Sequence, residues 1–346
     1  MTAPTPLTLP PDANAENPID AALADRLATI ESRFAAELHS DLDCVNDLVG
    51  HVEQFRGKML RPMLTVLSSL CLEGDAAPVP ERVNLLATVL EMVHMSTLVH
   101  DDVLDEADIR RRGATINRLQ GNEAAVMLGD YLISHAYHLC CNLGAEVAKS
   151  VAATTNTVCE GELLQLSHRG DWRLSARTYF EIVKRKTAAL TAACCAVPVL
   201  LSDDLPKHAE TREALHTYGE KVGIAFQIVD DVLDLVGDEE VVGKSLGRDL
   251  AKGKLTLPLI LWLETLAAVS HTEHDRGRSA LQAASAGGEI AALQQEVRES
   301  GAIDLAYERA GILITDAKKT LARALPASAA LGRLEQLADA TLARRR

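Results

Sequence analysis

Residues 91–105 read EMVHMSTLVHDDVLD, and residues 223–234 read GIAFQIVDDVLD. The same DDVLD ending occurs twice, about 130 residues apart, each time at the close of an apolar run. Residues 91–99 are mostly apolar, and residues 222–229 are entirely so apart from Gln227. On an α-helix, positions i, i+1 and i+4 fall within about 100° of one another. Asp101, Asp102 and Asp105 then project from one face of a helix, and Asp230, Asp231 and Asp234 from one face of another. The apolar runs, together with residues 151–165, are hydrophobic on more than one face, as expected of helices surrounded by helices. These three segments are expected at the centre of the fold.

Outward from them the chain continues as helical segments separated by short Gly, Pro and Asp punctuation, with no sustained period-2 alternation. Breaks near 74–80, 111–121, 170–175, 202–206, 237–254, 285–288 and 326 leave roughly ten helices. Aromatic residues make up 3% of the 346 residues, which disfavours a β-sandwich or barrel. The expected class is all-α. A hydrophobic share of 47% excludes wholesale disorder and is enough for a large core.

The formal net charge of −14 repels polyphosphate backbones and argues against nucleic-acid binding. The seven cysteines include no C-x-x-C and read as reduced core residues of a cytoplasmic protein. Residues 1–18 lack the basic and apolar regions of a secretory signal and read as a disordered tail. The longest apolar stretch, residues 187–201, is interrupted by Pro198 and falls short of a bilayer span, so no integral membrane segment is expected.

Two acidic triplets set against apolar helices are costly unless cations neutralise them. Ligation by carboxylate oxygen alone selects hard ions, and Mg²⁺ in particular shares its remaining positions with water and substrate phosphates. A single triplet is compatible with a solvated helix end; two on matched apolar helices point to metal. The spacing does not fit an EF-hand loop. Basic residues gather nearby at Lys58 and Arg61, at Arg110, Arg111 and Arg112, at Lys184, Arg185 and Lys186, and from Lys244 to Lys254. Carboxylates and cations so combined suit a diphosphate held through bridging metals and direct contacts.

At this point the chain resembles the trans-isoprenyl diphosphate synthases, or polyprenyl synthetases, of the medium- and long-chain type. The resemblance rests on GKMLRP (57–62), EMVHMSTLVHDDVLDEADIRR (91–111), GDYL (129–132), EGELLQ (160–165), KTAAL (186–190), GIAFQIVDDVLD (223–234), GKSLGRDL (243–250) and KLTLPLI (254–260). It implies a single domain over residues 19–346, a bundle of ten to thirteen helices around a central cavity (the isoprenoid synthase fold), and a homodimer. It implies isopentenyl diphosphate and an allylic diphosphate as substrates, and about three Mg²⁺ ions held by Asp101, Asp102, Asp105, Asp230, Asp231 and Asp234. In the second cluster Asp230 would do most of the ligation. By the same resemblance Arg110, Lys186 and Lys244 would hold the allylic diphosphate, and Lys58, Arg61, His94 and Arg111 that of isopentenyl diphosphate. Thr187 and Gln227 would stand near the reacting carbons, and Asp249 and Lys254 would shape a lid over the second cluster. His94 precedes Asp101 by seven residues, two turns away on nearly the same face.

The implied chemistry is ionisation of the allylic C–O bond, attack by the isopentenyl double bond, and loss of a proton to the departed diphosphate. Its needs are neutralisation of the leaving group and a dry cavity for the cation. Product length would be set along the helix before the first cluster, at Ser96, Val93 and Leu90, because each turn adds about 5.4 Å. Ser96 stands where farnesyl-producing relatives carry a bulky aromatic, so the floor reads as open and the product as twenty carbons or more, with Tyr137 able to close it. Met59, Arg112, the Cys194–Cys195 pair and Pro198 depart from the family pattern without removing a site residue. The terminal Arg344, Arg345 and Arg346 read as a frayed end, with a role in covering the isopentenyl site as the alternative. Other readings are a short-chain synthase, a terpene cyclase or head-to-head synthase, and a non-catalytic subunit of a heteromeric synthase. The GKMLRP stretch argues against the cyclase, and two intact Asp clusters argue against the silent subunit.

Overall fold

Small polar residues set where several helices begin. Ser175 Oγ accepts from the Thr178 amide, Ser270 Oγ from Glu273 and Ser328 Oγ from Leu331, each at 3.1 Å. Each satisfies one of the N–H groups that a helix start leaves without an intrahelical partner. Pro258 sits in the first turn of its helix, where a missing N–H costs nothing.

The computed structural model describes residues 18–53, 59–75, 79–110, 113–202, 208–237, 247–288 and 290–344. Among the described residues the chain forms fourteen α-helices of eight residues or more. They are α1 Pro18–Glu37, α2 Asp43–Glu53, α3 Leu60–Glu73, α4 Glu81–Leu104, α5 Ile116–Cys140, α6 Ala145–Ser167 and α7 Ala176–Val183. After these come α8 Ala189–Ala196, α9 Ala209–Val236, α10 Leu257–Val269, α11 His271–Ser285, α12 Ile290–Glu299, α13 Ala302–Ala324 and α14 Ala329–Ala343. A π turn, Lys184–Ala188, joins α7 to α8 without a break, so the two form one rod. The all-α expectation holds, with one small exception: a hairpin of two-residue strands, Ile109–Arg110 and Gly113–Ala114.

Helices α4 and α9 form the centre, as their sequences require. α4 packs along α3 and α5, and α9 along α8 and α13. α4 is long and apolar enough to cross a membrane by length and composition alone, with a mean hydropathy of 1.2, yet 78% of that window is buried inside the protein. Its apolarity is that of a core helix. Helix α6 departs from the expectation of a central position. It buries only the stripe Val147, Val151, Thr155, Val158 and Gly161, whereas Ala153, Asn156 and Glu160 point outward. Arg333 of α14 is fully buried and pairs with Asp20, which ties the start of α1 to the end of the chain.

Candidate active site

Several elements converge on one cavity of about 80 Å³. The π turn contributes Lys186 and Thr187, α9 contributes Gln227 and Asp231, α7 contributes Tyr179, and the segment after α9 contributes Asp249 and Lys254. The C-terminal turn of α4 reaches the same place through ion pairs: Lys186 Nζ lies 3.7 Å from Asp101 Oδ2, and Lys254 Nζ lies 2.7 Å from Asp105 Oδ2. Lys254 is also 3.9 Å from Asp249 Oδ1, and the Asp249 amide donates to Asp234 Oδ2 at 3.1 Å. The two acidic clusters therefore face a common site, linked by Lys254 and Asp249.

Glycines let these elements approach so closely. A Cβ at Gly223 of α9 would stand 2.7 Å from Ala188 Cα, and one at Gly219 2.7 Å from Ala192 Cα. A Cβ at Gly161 of α6 would collide with the Lys186 backbone nitrogen. The π turn is thus clamped between α6 and α9, with backbone against backbone on both sides. Its wider winding changes the direction of Lys186 and Thr187 relative to a regular helix, and π turns of this kind recur at functional sites.

The six aspartates divide into two groups. In the first, each carboxylate meets a cationic side chain from a distant part of the chain. Asp101 faces Lys186; Asp105 takes Lys254 and, at 2.9 Å, Arg169; Asp230 takes Arg344 at 2.6 Å. In the second group the oxygens are engaged in fixing other parts of the protein. Arg110 Nε forks onto Asp102 at 3.0 and 2.9 Å from the hairpin. Asp231 accepts from Tyr179 at 2.6 Å and from Gln227 at 2.8 Å. Asp234 accepts from the Gly247 amide at 2.7 Å through its carbonyl and from Asp249 through its side chain, which holds the start of the helical turn Arg248–Ala251.

Burial pushes the Asp101 carboxyl up to about 6, against the pull of Lys186. At Asp105 burial also acts upward, but Lys254, Lys186 and Arg169 together outweigh it and hold the group below the ordinary carboxylate value. Burial raises Asp231 well above that value, with Asp249 adding to the effect. At Lys186 burial acts downward and is overcome by Asp101 and Glu162, so the ammonium is held above its usual pKa. Lys186 is placed from α6 by an ion pair with Glu162 and a 2.9 Å hydrogen bond to Gln165.

This donor set suits Mg²⁺. Among the described residues no three carboxylates, histidines or cysteines close a metal cage by themselves. Mg²⁺ does not require one, because one or two carboxylates with water and phosphate complete its octahedron. Cationic side chains already meet Asp101, Asp102, Asp105 and Asp230, so positive charge is drawn to both clusters.

Of the remaining expected residues, Arg61 and His94 lie half-buried on the adjoining helices α3 and α4. Burial lowers the Arg61 pKa, opposed by buried Glu91. Lys58, Arg111 and Lys244 lie outside the described residues. Leu90, Val93 and Ser96 are buried at 0%, 0% and 1% exposure, and none of them lines the cavity. Arg344 corrects the expectation of a frayed end: it is docked on Asp230, with its guanidinium carbon 4.5 Å from the centre of the Phe226 ring. Arg345 and Arg346 lie outside the described residues. Sequence reasoning assigned no role to Tyr179, Glu162, Gln165 or Arg169. Glu162 and Gln165 stand within the quoted EGELLQ stretch, whereas nothing in the sequence sets Tyr179 or Arg169 apart.

The polyprenyl synthetase family profile matches residues 43–290. The chain belongs to the polyprenyl synthetase family. Family members are prenyltransferases, and the enzyme described here shares their fold. It is 35% identical over 240 residues to the octaprenyl diphosphate synthase of Escherichia coli, covering 68% of this chain and 72% of the relative. It is 34% identical over 317 residues to heptaprenyl diphosphate synthase component 2 of Geobacillus stearothermophilus, covering 91% and 95%. The crystal structure of a decaprenyl diphosphate synthase from Rhodobacter capsulatus superposes with a TM-score of 0.83 at 30% identity, covering 95% of this chain and 98% of that one. The enzyme thus matches such synthases over nearly its whole length.

Proposed function

We propose that this polyprenyl synthetase condenses isopentenyl diphosphate with an allylic diphosphate, head to tail and trans, to give a polyprenyl diphosphate of twenty carbons or more. The observation that carries the reading is the convergence of Lys186, Lys254, Thr187, Gln227 and Asp231 around one cavity, with Asp101 and Asp105 of the first cluster paired to its two lysines. Bound Mg²⁺ would be held by Asp101, Asp105 and Asp230 and supplies positive charge against the leaving diphosphate. Lys186 and Lys254 add fixed positive charge on the same side of the cavity. Thr187 and Gln227 turn oxygen toward the carbon that becomes cationic. Leu174, Ile182, Val183 and Leu255 line the remaining wall and keep water from capturing the cation. Arg61 and His94 would receive isopentenyl diphosphate from the α3 and α4 side.

The names of the relatives, octaprenyl, heptaprenyl and decaprenyl synthases, support a long product. Leu119, Val126 and Met127 of α5 and Leu163 of α6 are exposed large hydrophobic side chains, 40% to 66% accessible, and support a homodimer formed through these two helices. A heteromer is the second reading, favoured by the relative named component 2.

The test is incubation of the purified chain alone with labelled isopentenyl diphosphate, each allylic primer from five to twenty carbons and Mg²⁺, followed by chromatography of the dephosphorylated products. Elongation to twenty carbons or more is expected. No elongation with any primer overturns the proposal for the chain alone, and recovery on adding a partner subunit would establish the heteromer.

A further inference from the structure

A continuous line of hydrogen bonds crosses the back of the cavity. Tyr179 Oη donates to Asp231 Oδ2 at 2.6 Å, Gln227 Nε2 donates to Asp231 Oδ1 at 2.8 Å, and Thr187 Oγ1 donates to Gln227 Oε1 at 3.0 Å. All four side chains line the same cavity. The line joins three elements: α7, α9 and the π turn.

The direction of each bond has a consequence. A carboxylate accepts only, so Asp231 draws the NH₂ end of the Gln227 amide toward itself. The amide oxygen must then point the other way, toward Thr187. With Gln227 accepting, the Thr187 proton is committed to that oxygen, and the Thr187 lone pairs are left for the cavity. The carboxylate therefore determines which atoms of two other side chains an electron-poor carbon would meet. Without it the Gln227 amide is free to rotate by half a turn and present N–H donors, which repel a cation.

Asp230 and Asp231 are consecutive on α9 and so point about 100° apart. Asp230 turns to a cationic partner, Arg344, whereas Asp231 is 4% exposed and meets two neutral donors. Tyr179 is itself 4% exposed, and its hydroxyl is spent entirely on this carboxylate.

We infer that Asp231 and Tyr179 are positioning residues, not metal-binding ones, and that they fix the Gln227 amide and through it the Thr187 hydroxyl so that oxygen faces the ionising allylic carbon. The inference rests on the proposed prenyl transfer.

Two measurements separate it from that proposal and from a metal role. The first is Mg²⁺ binding to the protein with inorganic pyrophosphate, followed by calorimetry without turnover. The second is steady-state elongation, read as kcat and KM separately. Failure of the unsubstituted protein to elongate would count against the proposed function, whereas the present inference is read from the variants. Tyr179→Phe removes one hydroxyl and keeps the ring. It should lower kcat by about tenfold, the worth of one hydrogen bond to a charged group, with KM and Mg²⁺–pyrophosphate affinity within about twofold of the parent. Asp231→Asn should behave alike and more strongly, while Asp230→Asn should weaken Mg²⁺–pyrophosphate binding. In a Thr187→Val background the effect of Tyr179→Phe should shrink, because the share that acts through the Thr187 hydroxyl is gone and only the Gln227 share remains. An unchanged kcat in Tyr179→Phe, an undiminished effect in the Thr187→Val background, or a loss of metal affinity in Asp231→Asn equal to that in Asp230→Asn would each overturn the inference. Should Asp231→Asn fail to fold, Tyr179→Phe and its double variant still decide.

Discussion

Arg344 Nη2 stands 2.6 Å from Asp230 Oδ1, and its guanidinium lies over the ring of Phe226, one helical turn earlier on α9. The end of α14 is thereby clasped to the acidic end of α9, and the carboxylate proposed to take metal in the second cluster already holds a cation. Metal and guanidinium then compete for it. Because Arg344 and Asp230 are 24% and 36% exposed, solvent screens the pair, and its worth is at most ~1 kcal/mol. Arg344→Ala should therefore lower the Mg²⁺ concentration for half-maximal binding by about two- to fivefold. A Mg²⁺ titration of both proteins at one ionic strength checks this; an unchanged midpoint would show that the two cations do not share Asp230.

A second expectation concerns pH. Burial holds the Asp101 carboxyl up at about 6, where an exposed aspartate would ionise near 3.8. Mg²⁺ needs the ionised form, so protons compete with it below pH 6, two units higher than for an exposed aspartate. Mg²⁺ affinity should be about tenfold weaker at pH 5 than at pH 7, the ratio of the ionised fractions. Calorimetric titrations at the two pH values test this. Asp101→Asn should bind more weakly at both and lose most of the difference.

The acidic clusters were legible because their signal is local: two DDVLD endings on apolar runs define a helix face without reference to the rest of the chain. What each aspartate does was not legible, because it depends on partners distant in sequence. Asp102 is held by a hairpin arginine eight residues on, Asp231 by a tyrosine 52 residues earlier, and Asp105 by Lys254, 149 residues away. The π turn left no trace either, since one extra residue within KRKTA does not change the order of polar and apolar positions. Helix α6 was misplaced because residues 151–159 carry no charge, so small residues such as Ala153 and Asn156 on its exposed face read like those on its buried one.

The clamp on the π turn makes a third prediction. A methyl group at Gly223 meets backbone at 2.7 Å and has no flexible side chain to displace, so Gly223→Ala should cost ~1–3 kcal/mol in stability. It should also lower kcat, because Lys186 and Thr187 move with the backbone. Gly311 in α13 is the control. A Cβ there meets no atom within 4 Å, so Gly311→Ala should stabilise by ~1 kcal/mol through helix propensity alone. Urea unfolding of the two variants checks both signs.

Thiol reactivity gives a fourth. Cys44, Cys141 and Cys159 are exposed, whereas Cys71, Cys140, Cys194 and Cys195 are buried. Burial pushes Cys140 up to about 11 and Cys71 and Cys194 to about 12, so their thiolate fractions near pH 8 are very small. Alkylation of the native protein should modify the three exposed cysteines first, and the other four only on unfolding. Mass spectrometry of alkylated peptides reads this site by site, and rapid modification of Cys194 or Cys195 would contradict the packing of α8 against α9.

The last prediction concerns product length. Ser96, Val93 and Leu90 follow one another at i−3 spacing along α4, away from the Asp101 cluster, so each step down this row is about 4.5 Å, a little under one turn and close to one isoprene unit. Ser96 Oγ is buried and makes no hydrogen bond, so the hydroxyl is not there to hold the fold together. On the proposed function, a chain growing beyond the cavity is expected to follow this row, where Ser96 presents nothing bulkier than a hydroxymethyl group. Ser96→Phe places a ring at that position and should move the product distribution to shorter chains while leaving Mg²⁺–pyrophosphate binding intact. Val93→Ala and Leu90→Ala, further along the row, should lengthen products by about one unit each, at a stability cost of ~2–5 kcal/mol for the leucine. Chromatography of dephosphorylated products from all three variants tests the row as a whole. An unchanged distribution in Ser96→Phe with full activity would place the growing chain along another wall.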